Sequence, residues 1–251
     1  MSENQKKIWI TGASSGIGKA VAEKFAKEGW RVAVSARRKE ILDDMAKNHN
    51  IFSYPLDVVN EENCFKTFQK IISEFTEIDL CIFCSGTYDP KKEKEIDIKQ
   101  NKFVMEVNYF GVLNSVKAVE SYFKEKKQGH ISIVSSIAGY RGLPNSSGYG
   151  PSKAALNNFA ESIYFDFKKF NVRISVISPG FIKTPLTDKN DFPMPFLRSV
   201  EFAAEKIYTG ITKSSSFEIH FPKQLTLILK FLRILPYKLY LFLVDKLVKR
   251  Y

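Results

Sequence analysis

The chain is poor in cysteine, with three in 251 residues, and Cys64, Cys81 and Cys84 cannot build a disulfide framework. Cys81 and Cys84 spell Cys-x-x-Cys, but residues 78–84 have the apolar pattern of a strand, where positions three apart point to opposite faces. A redox pair belongs at a helix start and a zinc site needs a second pair of ligands. Both thiols therefore read as structural, no metal site is expected, and the compartment reads as reducing and intracellular. Long apolar runs are missing as well: no stretch reaches the roughly 18 uncharged apolar residues of a spanning helix. Residues 1–7 are polar and run straight into an apolar segment, which predicts no secretory leader. There is no internal repeat and no low-complexity tract. Acid is scarcer than base, 27 Asp and Glu against 38 Lys and Arg, for a net +11.

What is present suits one α/β domain with a sizeable core. Apolar strand patterns and helical patterns alternate along the chain, which predicts a doubly wound parallel sheet. The first strand, residues 7–11, leads into Gly12-Ala-Ser14-Ser15-Gly16-Ile17-Gly18 and then a helix. Strand, glycine turn and helix start form a phosphate cradle, because glycines allow close backbone approach and the helix offers free N–H groups. The second strand, residues 31–35, ends in Ala36-Arg37-Arg38. A chain built for NAD usually offers a carboxylate there for the ribose 2′-hydroxyl. Here no carboxylate repels a 2′-phosphate and two guanidiniums are available to grip one, so NADP(H) is expected over NAD(H). Residues 51–58 read as a third strand, and Asn60 as the N-cap of a helix running to about Phe75. Residues 90–95, Pro-Lys-Lys-Glu-Lys-Glu, read as a solvated loop, and a long helix from about Ile98 carries Asn108.

The strand at 130–134 precedes Ser136, and a helix from Ser152 to Lys169 follows it. Tyr149 and Lys153, four apart, share one helix face. A phenol has an ordinary pKa near 10, and an ammonium beside it favours the phenolate, so Lys153 is expected to lower Tyr149. Ser136 then holds the oxygen of the reacting group while Tyr149 exchanges its proton.

Together these motifs resemble the short-chain dehydrogenase/reductase family over roughly residues 6–222. Thr11-Gly12-x3-Gly16-x-Gly18 resembles its cofactor motif. Ser136, Tyr149-x3-Lys153 and Asn108 match its catalytic set, and Pro179-Gly180-Phe-Ile182-Lys-Thr184 its nicotinamide-side loop. The resemblance implies a Rossmann-type fold and a cofactor site of Gly12, Ser14, Ser15, Gly16, Ile17, Gly18, Arg37, Arg38, Asp57, Val58, Gly86, Asn108, Tyr149, Lys153, Pro179, Gly180, Ile182 and Thr184. It also implies a homodimer or homotetramer, and a lid over the substrate from residues 186–197, with Phe192, Met194, Phe196 and Leu197 apolar. Cys84 stands where the family usually has asparagine. The implied activity is NADP(H)-dependent hydride transfer at a CH–OH group or carbonyl of an apolar or lipid-like substrate, in the cytoplasm. The alternatives are a cofactor-binding scaffold and a membrane-surface adaptor of the same fold.

The resemblance does not reach the C-terminus. The expected division is a domain over 1–222 and a helical extension over 223–251, broken at Pro236. That extension holds seven Lys and Arg against one Asp, a net +6. Basic charge among dense Leu and Phe fits a helix lying on a membrane surface, at the inner face, or one packed on a partner subunit. Nucleic acid is not expected, because the aromatics sit in an apolar stripe rather than a stacking platform.

Overall fold

The computed structural model describes residues 5–248; the polar start at 1–4 and the end of the basic tail at 249–251 lie outside the described residues. Seven strands form one parallel sheet in the order β3-β2-β1-β4-β5-β6-β7. These are β1 (Lys7–Thr11), β2 (Arg31–Ser35), β3 (Ile51–Ser53), β4 (Leu80–Phe83), β5 (Gly129–Val134), β6 (Val172–Pro179) and β7 (Glu218–Phe221). Chain order runs outward in both directions from β1, so the reversal falls between β1 and β4, where an open sheet leaves a crevice at its carboxyl edge. The strands are apolar on both faces because helices cover both. On one face α3 (Glu61–Phe75), α5 (Gly111–Lys126) and α6 (Tyr149–Lys168) pack over Trp9, Cys81, Phe83, Ile131 and Ile133. On the other, α1 (Gly16–Lys27), α2 (Lys39–Met45) and α7 (Val200–Thr212) pack over Ile8, Ile10, Val32 and Ile82. Cys81 is buried and Cys84 partly so, both as free thiols.

Three local expectations are revised. The third strand stops at Ser53 rather than Val58, since Pro55 has no N–H for the ladder, although Tyr54 and Leu56 still donate to Val34 and Ala36. The long helix is α4 (Ile98–Met105) and α5 joined by one π-helical turn at Glu106–Phe110, and Asn108 sits in that turn. The charged stretch at 90–95 is not wholly solvated: Glu93 is buried.

The tail forms α8 (Lys223–Ile234) and α9 (Tyr237–Val248), separated at Pro236. Leu225 and Leu229 pack on Ile137, Tyr140 and Phe181, beside the loops that follow β5 and β6. Arg141 donates to the carbonyls of Leu232, Arg233 and Leu235 at 3.0, 3.2 and 2.7 Å, satisfying the free carbonyl end of α8. Its guanidinium also lies 3.9 Å from the ring centroid of Tyr240 and 4.6 Å from that of Tyr237. Among the described residues no helix is long and apolar enough to cross a membrane.

Candidate active site

The glycine turn fills the β1 end of the crevice. Gly12 has φ +68°, and a Cβ there would lie 2.7 Å from the backbone of Cys84 and Ser85, so only glycine lets β1 and β4 meet this closely. The first turn of α1 holds no acidic residue, and Ser15, its N-cap, makes no side-chain cap, so the helix start remains suited to an anion. Ser14 and Ser15 instead accept from Arg38, which gives 3.1 and 2.9 Å bonds to Ser14 Oγ and a 2.7 Å bond to Ser15 Oγ. One predicted guanidinium is thus tied to the glycine turn; Arg37 is exposed. Thr184 closes the same cradle from the β6 side, its Cγ2 being 3.1 Å from where a Gly16 Cβ would stand. Pro179 ends β6, the Gly180 amide donates to Phe221 at 2.7 Å, and Ile182 is buried. Asp57 is exposed and turns its carboxylate onto the Val59 amide, while Val58 is buried against Gly111.

The remaining predicted residues meet at the carboxyl ends of β4 and β5. Ser136 caps a short 3-10 turn after β5, accepting from Ala138 at 3.1 Å, and its hydroxyl acts to lower the pKa of the Tyr149 phenol. Lys153 is buried one turn along α6, its Nζ 5.7 Å from the Tyr149 ring centroid and donating to the Val134 carbonyl at 3.0 Å. A Cβ on Gly86 would stand 3.6 Å from that Nζ and 3.5 Å from Asn108 Oδ1, so Gly86, Asn108 and Lys153 share one wall. The Asn108 amide is fully engaged: it accepts from Thr87 N at 2.7 Å and donates to Thr87 O and Ser152 Oγ at 3.0 Å each. The π-helical turn that carries it packs against α6.

The electrostatics differ from expectation. Burial pushes the Tyr149 phenol up to about 12, against the pull of the Ser136 hydroxyl, with Cys84 and Glu93 pushing the same way as burial. Lys153 does not counter this; burial draws its own ammonium down to about 8. Desolvation outweighs the attraction because the ammonium faces a carbonyl rather than the phenol oxygen.

Four contacts carried no signal in the sequence. Tyr88 lies against Tyr149, with ring centroids 4.7 Å apart, and donates to Asn145 O at 2.9 Å. Glu93 accepts from the amides of Gly148 and Tyr149. Ser152 links Asn108 to α6, and Arg141 links the site loop to the tail. In the predicted lid, Phe192 and Met194 are half-buried, Phe192 meets Phe181 at 6.1 Å, and Phe196 and Leu197 are exposed.

Comparison with known proteins agrees with this architecture. An uncharacterized oxidoreductase of Myxococcus xanthus is 34% identical over 236 residues, covering 92% of this chain and 93% of that one. A short chain dehydrogenase of Burkholderia cenocepacia solved with NADP superposes with a TM-score of 0.79 at 25% identity, covering 93% and 95% of the two chains. A short chain dehydrogenase/reductase of Burkholderia phymatum solved with NAD shares the fold, with a TM-score of 0.77 at 20% identity and coverage of 92% and 94%. The sequence profile of the short chain dehydrogenases matches residues 6–193, and the chain belongs to that family.

Proposed function

We propose that this protein is an NADP(H)-dependent oxidoreductase acting on a carbonyl or secondary alcohol of an apolar substrate, with Ser136, Tyr149 and Lys153 as its catalytic residues and Asn108 bracing the wall behind them. The observation that carries the reading is the meeting of Ser136, at the end of β5, with Tyr149 and the Lys153 ammonium at the start of α6, the ammonium buried beside Gly86. The cradle fits a dinucleotide: an uncapped helix start, a glycine held against β4, and Arg38 resting on Ser14 and Ser15. When bound, the nicotinamide supplies or takes the hydride. Tyr149, protonated at neutral pH by its burial, gives its proton to the oxygen of a carbonyl being reduced, and Ser136 orients that oxygen. Lys153 stands ready to hold a ribose hydroxyl in place of Val134 O. Phe181, Phe192 and Met194 on the substrate side support an apolar substrate. Arg38 and the missing acid at Ala36 support NADP(H) over NAD(H).

Incubating the full chain with NADPH or NADH and a panel of aldehydes, ketones and 3-oxoacyl thioesters tests this. NADPH oxidation dependent on one of the carbonyls is expected; none with any of them would leave a cofactor-binding scaffold.

A second reading concerns residues 223–251 and rests on the exposed apolar side chains of α8 and α9. Leu227, Ile228, Phe231, Ile234, Leu241 and Phe242 are exposed, interspersed with the exposed cations Arg233, Lys238 and Lys246. That charge complements an anionic lipid surface at the cytoplasmic face of a membrane, where apolar side chains sink past the headgroups. The same patch on a second copy of the chain would set like charges against each other.

A further inference from the structure

The helix that carries Tyr149 and Lys153 begins at Gly148, which has no side chain to cap it. A larger residue would crowd Asn101: a Cβ on Gly148 would stand 2.9 Å from Asn101 Oδ1 and 3.2 Å from its Cα. A helix start normally takes its cap from the N-cap residue itself. Here the cap comes from 55 residues away: Glu93 Oε2 accepts from Gly148 N at 2.9 Å and from Tyr149 N at 3.0 Å. Glu93 is 3% exposed, unlike the lysines around it, and its buried Oε1 has no hydrogen-bond partner among the described residues. A buried carboxylate with one idle oxygen is costly unless its other oxygen and its charge are used. The same segment brings Tyr88 against the Tyr149 ring and ties it to Asn145 of the loop before α6. Tyr149 is therefore clamped at two points, its amide by Glu93 and its ring by Tyr88.

We infer that Glu93 is a positioning residue of this active site: it caps α6 at the residue that exchanges the proton and, with Tyr88 against the ring, fixes where that residue stands. The inference rests on the proposed role of Tyr149. A neutral cap would satisfy the two amides equally; a carboxylate adds a field that acts on the phenol. The charged and titratable groups facing Tyr149 are Lys153 on its own helix, Cys84 after β4, and Tyr88 and Glu93 from the 88–93 segment. Of these, Cys84 and Glu93 raise the phenol, and Glu93 is the one carboxylate among them. The neighbouring Lys94 pairs with Asp191 of the lid loop at 2.6 Å, so the clamp and the lid are joined through adjacent residues.

The test uses the full chain with Glu93→Gln and Glu93→Ala, read by hydrogen exchange of the 146–153 segment and by the pH profile of carbonyl reduction. Glu93→Gln keeps an acceptor for the two amides and removes the charge. It should leave exchange near the wild-type rate and move the pH limb assigned to Tyr149 to lower pH. Glu93→Ala should speed exchange of the Gly148 and Tyr149 amides by about tenfold, and lower kcat by about tenfold with NADPH affinity retained. Unchanged exchange in Glu93→Ala would overturn the capping role. Faster exchange with wild-type kcat and pH profiles in both variants would reduce Glu93 to a fold element and overturn its link to the reaction. Absence of turnover in the wild type would overturn the reading of Tyr149 instead, with the exchange result still deciding whether Glu93 caps α6.

Discussion

Lys153 lies one helical turn from Tyr149 and 5.7 Å from its ring centroid, yet gives its hydrogen bond to Val134 O, so the two residues share a face without neutralising each other's burial. This has a cost in stability that depends on pH. The folded-state pKa of Lys153, about 8, lies below the ordinary 10.5. Between those values the unfolded chain binds more protons, so this group's contribution makes stability rise as pH climbs from 8 to 10.5. Below pH 8 its burial costs about 3 kcal/mol. Replacing it with Met removes that cost but leaves Val134 O without its partner, worth about 1 kcal/mol. Lys153→Met should therefore be more stable than the wild type by about 1–2 kcal/mol at pH 7, an advantage that fades by pH 10. Urea unfolding at both pH values reads this directly, and a variant destabilised at pH 7 would contradict it.

Arg38 offers the cleanest handle on cofactor choice. Its guanidinium already rests on Ser14 and Ser15 of the glycine turn, so a 2′-phosphate arriving there meets a positioned, charged donor. A charge-assisted contact of this kind is worth roughly 1.5–3 kcal/mol. Arg38→Ala should weaken NADPH binding by about tenfold to a hundredfold and leave NADH binding nearly unchanged. Fluorescence titration with both cofactors decides it; equal losses for the two would show that Arg38 shapes the turn rather than reads the phosphate.

Much of this site was legible in the sequence because its chemistry is local. A strand followed by closely spaced glycines and a helix implies an anion cradle wherever it occurs, and Tyr149 and Lys153 share a face through helix geometry alone. The Asn60 cap was likewise readable, and its side chain does accept from Asn63 N at 2.9 Å. What escaped depends on distant backbone. Glu93 sits in a run of lysines, and nothing local distinguishes it from Glu95; its buried carboxylate is held by the distant amides of Gly148 and Tyr149. The pull expected of Lys153 on Tyr149 failed for a similar reason, since the spacing sets distance but not which oxygen the ammonium faces. The clamp of Arg141 on α8 joins residues more than 90 apart and has no local signature.

That clamp changes how the tail is to be probed. Leu225, Leu232 and Tyr240 are buried and α8 packs beside Ile137, Tyr140 and Phe181, so cutting the chain after Pro222 would uncover the wall of the site. Substitutions at exposed positions avoid this. Phe231→Glu with Ile234→Glu should leave the fold and NADPH binding intact while reducing co-sedimentation with vesicles containing anionic lipid by about tenfold or more. High salt should weaken the binding of the unaltered chain. Vesicle binding unaffected by both changes, or a shift in oligomeric state on sizing, would place the patch against a protein instead.

The measurement that bears most directly on the central claim is carbonyl reduction by Tyr149→Phe. The change removes one hydroxyl beside Ser136 and leaves the glycine turn, Arg38 and Lys153 in place. With the best carbonyl found for the wild type, kcat should fall by about 10² or more while NADPH affinity changes by less than about twofold. Turnover within about threefold of the wild type would contradict the assignment of Tyr149 as the proton donor, and with it the mechanism built on Ser136, Tyr149 and Lys153.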